Sequence, residues 1–312
     1  MNAKKIVVTG GAGFIGSNLV RYLSADNQVI IIDDLSTGNM KNIMDLVDDD
    51  KTEFIQGSIT DLELLQKTFK NVDYIFHEAA IPSVPRSIKD PVITGNVNIN
   101  GTLNVLLAAR DCNVKKVIYA SSSSIYGDTP TLPKKEEMTP NPLSPYAVSK
   151  LTGEYYCRVF TKIFNLPTVV LRYFNVYGPR QDPVSEYAAV IPKFITNVFN
   201  DNPPVIYGDG LQTRDFTFVD DVIKINILAA ESDITGIFNV AGGKQISINE
   251  LAKTIMTLCN KNLEIDYKEA RPGDIKHSLA DISKAKEKFG YHPNYDIKNG
   301  LKETIQWFQK QI

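Results

Sequence analysis

Tyr146 and Lys150 lie four residues apart, so on a helix a phenol and an ammonium share one face. An ammonium beside a phenol favours the phenolate, drawing a group that ionises near ~10 toward the working range of a general base. A serine run, Ser121 to Ser124, closes a β-branched stretch upstream, and Ser122 or Ser123 can relay or share the proton. Tyr-x-x-x-Lys by itself is a weak signal, because helical faces supply it by chance. Its weight comes from a second constellation near the N-terminus.

Gly10, Gly13 and Gly16 directly follow the run Ile6-Val7-Val8-Thr9 and open a helical pattern. Without a Cβ the chain can turn sharply, and backbone amides and a helix N-terminus can approach a pyrophosphate. Asp33 ends the next apolar run, 17 residues after Gly16 (33 − 16), close to the ~20 expected for a carboxylate that holds an adenosine ribose. That carboxylate repels a 2′-phosphate, and neither the glycine turn nor Asp33 to Gly38 contains Arg or Lys. The pattern predicts NAD rather than NADP. A turn that only packs a helix on a sheet would leave Asp33 and Asp34, placed after Ile30-Ile31-Ile32, unexplained.

Strands and helices must bring these groups together. Short β-branched runs at Lys5–Thr9, Val29–Asp33, Glu53–Gln56, Tyr74–His77, Lys116–Ser121 and Thr168–Arg172 predict strands. Phe14–Leu23, Asp61–Phe69, Val97–Arg110 and Tyr146–Phe164 predict helices, and Thr60-Asp61-Leu62-Glu63 offers a capping box for the second. The alternation predicts an α/β fold, a Rossmann-type doubly wound parallel sheet with ligands at the carboxyl ends of its strands. After Arg172 the prolines Pro179, Pro183, Pro192, Pro203 and Pro204 break the rhythm, and a smaller mixed α/β substrate-binding domain begins. Phe216–Val219 and a helix to Ala230 read as a strand and helix returning to the main sheet. A helix capped by Ser247 and Glu250, one ending before Gly290 and one reaching Phe308 complete the chain. The expected division is 1–173 with 214–240 for the dinucleotide domain, and 174–213 with 241–312 for the smaller one.

The 312 residues, 43% hydrophobic and 22% charged, suffice for about two domains. Lys plus Arg total 34 against 36 for Asp plus Glu, a balance that leaves no electrostatic footprint for nucleic acid or an anionic membrane. Cys112, Cys157 and Cys259 are odd in number and form no Cys-x-x-Cys, which argues against a disulfide framework or thiolate zinc site and for a reducing cytoplasm. No stretch approaches the ~18 apolar residues that span a bilayer, and the N-terminal run is too short for an export signal. His77, His277 and His292 show no ligand spacing, so no metal is expected, and His77 reads as a packed, hydrogen-bonded histidine. A Ser-His-Asp hydrolase would lack its Gly-x-Ser-x-Gly.

With both constellations in place, the chain resembles the extended short-chain dehydrogenase/reductase family, and within it the nucleotide-sugar epimerases. The match is carried by Thr9-Gly10-Gly11-Ala12-Gly13-Phe14-Ile15-Gly16, His77-Glu78-Ala79-Ala80, Asn98-Ile99-Asn100-Gly101-Thr102, Ser121 to Gly127, Ser144-Pro145-Tyr146, Arg172-Tyr173-Phe174-Asn175 and Arg271-Pro272-Gly273-Asp274. The resemblance implies inversion at C4 of a UDP-hexose without net redox: Tyr146 takes the 4-hydroxyl proton, NAD takes the C4 hydride, and the ketone turns over and is reduced on its other face. It implies a cofactor lined by Phe14, Ile15, Asp33, Asp34, Ser36, Thr37, Gly38, Ile59, Ala79, Ala80, Ile81, Asn98 and Phe174. Ser58 stands where the family usually has an aspartate toward adenine. Uracil, ribose and diphosphate would meet Asn175, Val190, Ile206, Tyr207, Arg214, Arg271 and Asp274; Arg214 and Arg271 offer planar forks of donors to a diphosphate.

Related dehydratases and decarboxylases place acidic residues just after the strand-end Ser or Thr, where this chain has Ser123 and Ser124. That pattern implies plain epimerisation. A bulky aromatic after the Arg-Pro-Gly-Asp turn restricts family members to plain hexoses; here the position is Ser278. With small Ala189 and the segment Ser83-Val84-Pro85-Arg86-Ser87, it points to UDP-GlcNAc and UDP-GalNAc, with UDP-Glc and UDP-Gal as further substrates. Arg86 and Arg180 keep UDP-glucuronate 4-epimerisation as an alternative, and a catalytically silent NAD-binding regulator is the alternative from another class. The family also implies a homodimer through a four-helix bundle of Val97–Arg110 and Tyr146–Phe164, although Leu103, Leu106 and Leu107 can equally face their own sheet.

Overall fold

The computed structural model describes residues 1–47, 50–183, 189–270 and 275–311. Its centre is a parallel sheet of β1 (Lys5–Thr9), β2 (Gln28–Asp33), β3 (Thr52–Gln56), β4 (Tyr74–His77), β5 (Lys116–Ser122), β6 (Thr168–Tyr173) and, closing one edge, β11 (Gly236–Val240). The strand order is β11-β6-β5-β4-β1-β2-β3, so the winding reverses between β1 and β4. Both sheet faces are covered: Ile6 and Val8 pack into one core, Val7 between them into the other. Buried runs such as Ile30-Ile31-Ile32 are what a sheet covered on both faces demands.

α1 (Phe14–Leu23) follows the glycine turn, and α2 (Leu62–Thr68) connects β3 to β4. α3 (Val84–Lys89), α4 (Pro91–Gly95) and α5 (Thr102–Asp111) lead to β5, and α6 (Pro145–Ile163) carries Tyr146 and Lys150. The cap of α2 differs from the capping box expected at Thr60. Asp61 caps it, accepting from the Leu64 backbone at 3.0 Å, while Thr60 shares a 2.9 Å hydroxyl bond with Ser58. A carboxylate one residue later reaches the orphan amide better than the hydroxyl that Ser58 has already engaged. The continuous helix expected from Val97 contains a wide π-type turn over Asn96–Gly101 before α5 begins. Such turns are frequent at functional sites, and this one carries Asn98.

Beyond β6 lie β7 (Val176–Tyr177), α7 (Val190–Phe199), β8 (Val205–Tyr207), β9 (Thr213–Asp215), β10 (Thr217–Phe218), α8 (Val219–Glu231), β12 (Gln245–Ser247), α9 (Ile248–Leu258), β13 (Asp266–Lys268), α10 (Ser283–Phe289) and α11 (Ile297–Gln309). The strand expected at Phe216–Val219 does not rejoin the main sheet. β10 pairs with β7, and β11 takes the edge beside β6 instead. Helix α8 does return: Lys116 of β5 donates to the Ala229 carbonyl at 3.2 Å near its C-terminus. At α9 the expected box is present, with Ser247 and Glu250 each satisfying the other's backbone amide.

Candidate active site

The switch point between β1 and β4 opens onto the glycine turn. Gly10 has φ +72°, and a Cβ there would meet the Ala79 nitrogen at 2.6 Å; one on Gly16 would lie 2.1 Å from the Gly10 carbonyl oxygen. Both positions therefore require glycine. Gly13 caps α1 without a side-chain bond, leaving the first helical amides without a side-chain cap and open to an anion. Asp33 is buried at the end of β2, its oxygens accepting from Ala12 and Leu35 amides at 2.9 Å each. Burial raises its carboxyl and those amide donors pull it back. A glycine turn with open helical amides beside a strand-end carboxylate has the donor and acceptor set that could hold a dinucleotide.

Several residues expected at the cofactor also make structural contacts. Asn98 is buried; its Oδ1 accepts from the Ile81 amide at 2.8 Å, and its Nδ2 donates to the Ile81 carbonyl and to Ser149 Oγ at 3.0 Å. It fixes the Ala79–Ile81 strand end to α6. Ser58 spends its hydroxyl on Thr60, and Phe174 is fully buried against Tyr126. His77 is the packed histidine expected, bonded by Nδ1 to Thr9 at 2.8 Å and by Nε2 to Thr102 at 3.0 Å. Burial, aided by Lys150, pushes it down to about 3, so it is neutral.

Ser122, Tyr146 and Lys150 come together at the ends of β5 and α6. Ser144 caps α6 and Pro145 occupies its first turn, so the helix begins at the phenol. Ser122 lies close enough to the Tyr146 side chain to lower its pKa, and it accepts the Ser124 amide at 3.2 Å. The sequence pattern predicted a phenol made more acidic by Lys150. The structure shows the opposite direction: burial raises Tyr146, Ser122 lowers it, and the Glu78 carboxylate raises it again, for a net rise. Lys150 directs its ammonium to the Ala120 carbonyl at 2.8 Å and over the Tyr119 ring, and burial lowers it to about 8 although Glu78 pulls it up.

Residues to which the sequence pattern gave no role at the phenol hold this pair in place. Ser87 of α3 accepts the Tyr146 amide at 3.1 Å, and Ser149 donates to the Tyr146 carbonyl at 2.7 Å, so both sides of the tyrosine backbone are pinned. One turn beyond Lys150, buried Glu154 forms a fork with Arg172 of β6 (2.9 and 2.7 Å) and accepts Ser121 Oγ at 2.5 Å. Arg172 also donates to the Tyr126 hydroxyl at 2.7 Å, and Tyr126 to Asn239 of β11. Arg172 stood inside a recognised motif, but nothing in the spacing revealed its partner 18 residues upstream.

A cavity lined by Asn175, Ala189, Val190, Ile206, Tyr207 and Arg214 together with Gln212 and Phe216 gathers most of the residues expected at the nucleotide. Arg271 and Asp274 lie outside the described residues. Ser278 is buried along β9, its amide bonded to the Thr213 carbonyl at 3.1 Å. Ser83 precedes α3 with φ +98°, a conformation costly for a residue with a Cβ. Arg180 donates to Asn18 of α1, while Arg86 lies on α3. Among the described residues no cluster of His, Cys, Asp and Glu could hold a metal.

Residues 7–304 match the family model described as GDP-mannose 4,6 dehydratase. The chain belongs to this family of extended short-chain dehydrogenases/reductases. The extended short-chain dehydrogenase/reductase fold is shared closely by a UDP-N-acetylglucosamine 4-epimerase from Methanobrevibacter ruminantium M1, solved with UDP-N-acetylmuramic acid (TM-score 0.97, 46% identity, 100% of both chains covered). A UDP-glucuronic acid 4-epimerase from Bacillus cereus, solved with UDP-glucuronic acid and NAD, gives a TM-score of 0.92 at 36% identity over 99% of this chain and 100% of that one. A UDP-glucose 4-epimerase of Mycolicibacterium smegmatis is 38% identical over 312 residues, 98% of this chain and 99% of the relative.

Proposed function

We propose that this protein is an NAD-dependent UDP-sugar 4-epimerase. The observation that carries the reading is the Ser122–Tyr146–Lys150 group at the carboxyl end of β5 and the start of α6, at the same end of the parallel sheet as the glycine turn after β1. Glycine turn, uncapped helix start and Asp33 would hold NAD, which supplies the acceptor for hydrogen from sugar C4 and returns it to the opposite face. Tyr146 accepts the 4-hydroxyl proton and gives it back. Ser122, beside the same phenol, shares that proton and stabilises the charged form. Ser123 and Ser124, being neutral, offer no carboxylate for elimination of water or further acid–base work.

The substrate reading is UDP-GlcNAc and UDP-GalNAc, with UDP-Glc and UDP-Gal as further substrates. The small side chains Ser278 and Ala189 support it, as does a nucleotide cavity containing Arg214. We read the assembly as a cytoplasmic homodimer. Leu106 is buried in its own core, with Leu103 and Leu107 packed against it, so the bundle would use other residues. Val148, Tyr155, Val159 and Ile163 form an exposed stripe along α6, beside exposed Ile88, Val92 and Ile93. An apolar stripe at this spacing suits a helix–helix partner, here a second copy. All three cysteines are free, and among the described residues no helix is long and apolar enough to cross a membrane.

The test is turnover of UDP-GlcNAc, UDP-Glc and UDP-glucuronate by the purified protein and by Tyr146→Phe. Wild type forms the 4-epimer of UDP-GlcNAc; the variant binds NAD and forms none. Turnover retained without the phenol would contradict the mechanism, and conversion of UDP-glucuronate alone would replace the substrate reading.

A further inference from the structure

Glu78 follows β4 directly, and the proton transfer described above makes no use of it. Its amide donates to the Thr9 carbonyl at 3.1 Å, and the Glu78–Ala79 peptide is the surface that a Cβ on Gly10 would strike. Carboxylate Oε1 accepts the Tyr173 hydroxyl at 2.8 Å, and Tyr173 in turn accepts the Asn226 amide at 2.8 Å. β6 and α8 thereby fix the orientation of an acid that has no salt-bridge partner among the described residues. Lys150 and Tyr146 of α6 and Tyr173 of β6 are the charged and titratable groups facing it, while neutral His77 on its own strand is turned to Thr9 and Thr102.

We propose that Glu78 is the charge-balancing residue of the site, selecting the oxidised, cationic dinucleotide over its reduced, neutral form. The inference rests on the NAD reading above. A dinucleotide with its diphosphate at the glycine turn and its reactive ring served by Tyr146 and Lys150 passes the Glu78 strand end. A cationic ring brought toward the Lys150 ammonium is repelled, and a fixed carboxylate at the strand end beside the glycine turn offsets that repulsion. Reduction removes the ring's charge and with it the attraction. The upward push of Glu78 on both Tyr146 and Lys150 shows that its field already reaches the reacting groups. Burial holds its own carboxyl at about 7, with Tyr173 and Lys150 pulling the other way, so the balance operates above neutral pH.

Wild type, Glu78→Gln and Glu78→Asp are equilibrated with mixtures of NAD⁺ and NADH, and the bound forms are quantified after removal of free nucleotide. One charge acting across roughly 10 Å at an effective dielectric of about 20 changes the NAD⁺-to-NADH preference on the order of tenfold. At pH 8 the Gln variant loses that preference and the Asp variant keeps most of it; at pH 5.5 the gap between wild type and Gln closes. Equal ratios for wild type and Gln at pH 8, or a gap unchanged at pH 5.5, would overturn the proposal. Should Gln fail to fold, the wild-type and Asp titrations still decide, since a preference flat between these pH values contradicts it. Failure of wild type to bind either nucleotide would instead remove the cofactor reading itself.

Discussion

Replacing Glu154 by Gln keeps the shape of the side chain and removes the carboxylate that, among the described residues, is paired with Arg172. Both partners are nearly inaccessible, at 1% and 2% exposure, so solvent cannot compensate the guanidinium. The glutamate accepts three bonds, from Arg172 Nε at 2.9 Å, Arg172 Nη2 at 2.7 Å and Ser121 Oγ at 2.5 Å. Gln offers one oxygen and presents an N–H₂ where a donor already points. Breaking a buried pair from one side costs about 3–5 kcal/mol, far above the value of an exposed pair. At about 2–4 °C per kcal/mol for a chain approaching this size, the unfolding midpoint falls by roughly 6–20 °C. Urea unfolding followed by circular dichroism should show a lower midpoint at unchanged slope. Because the fork ties α6 to β5 and β6, turnover should fall as well, with the loss in kcat larger than in KM. A Glu154→Gln protein within about 1 kcal/mol of wild type would refute the reasoning that this pair is an obligatory buried clamp.

Three further outcomes follow from the same geometry. His77 is held near 3 when folded against ~6.5 unfolded, so its contribution is complete above 6.5 and is lost as pH falls toward 3, at about 1.4 kcal/mol per unit; His77→Gln should flatten that part of the stability profile between pH 6.5 and 5, read by urea titrations. Ser278→Tyr should lower kcat/KM for UDP-GlcNAc at least tenfold more than for UDP-Glc, and an equal loss would remove the pocket-size argument. Val159→Glu places a charge in the exposed α6 stripe and should give a folded monomer by sedimentation; an unchanged sedimentation coefficient would show that this face is not the interface.

The parallel sheet was legible because buried runs such as Ile30-Ile31-Ile32 have few other readings, and Gly10, Gly16 and Asp33 carry geometric requirements visible in their types. Tyr146 and Lys150 were legible because four-residue spacing is local. What escaped was nonlocal: Glu154 with Arg172, Ser87 with Tyr146, and Glu78 with Tyr173 meet only after crossovers that no window of sequence spans. The direction of the Tyr146 shift escaped for the same reason. Spacing shows that an ammonium shares the face of the phenol; it does not show that the ammonium turns to Ala120 or that a carboxylate just beyond β4 opposes it. Similarly, the edge strand of the main sheet proved to be β11 rather than Phe216–Val219, because both short runs are apolar and only packing beside β6 separates them.

In the proposed reaction carbon C4 gives its hydrogen to a bound acceptor and takes it back, while Tyr146 handles only the oxygen-bound proton. Epimerisation of UDP-GlcNAc in D₂O, followed by proton NMR of the C4 position in substrate and product, tests it directly. UDP-GalNAc should form with its C4 proton retained at full intensity through many turnovers. Deuterium accumulating at C4 in the product would mean that solvent reaches the carbon and would contradict the proposed reaction.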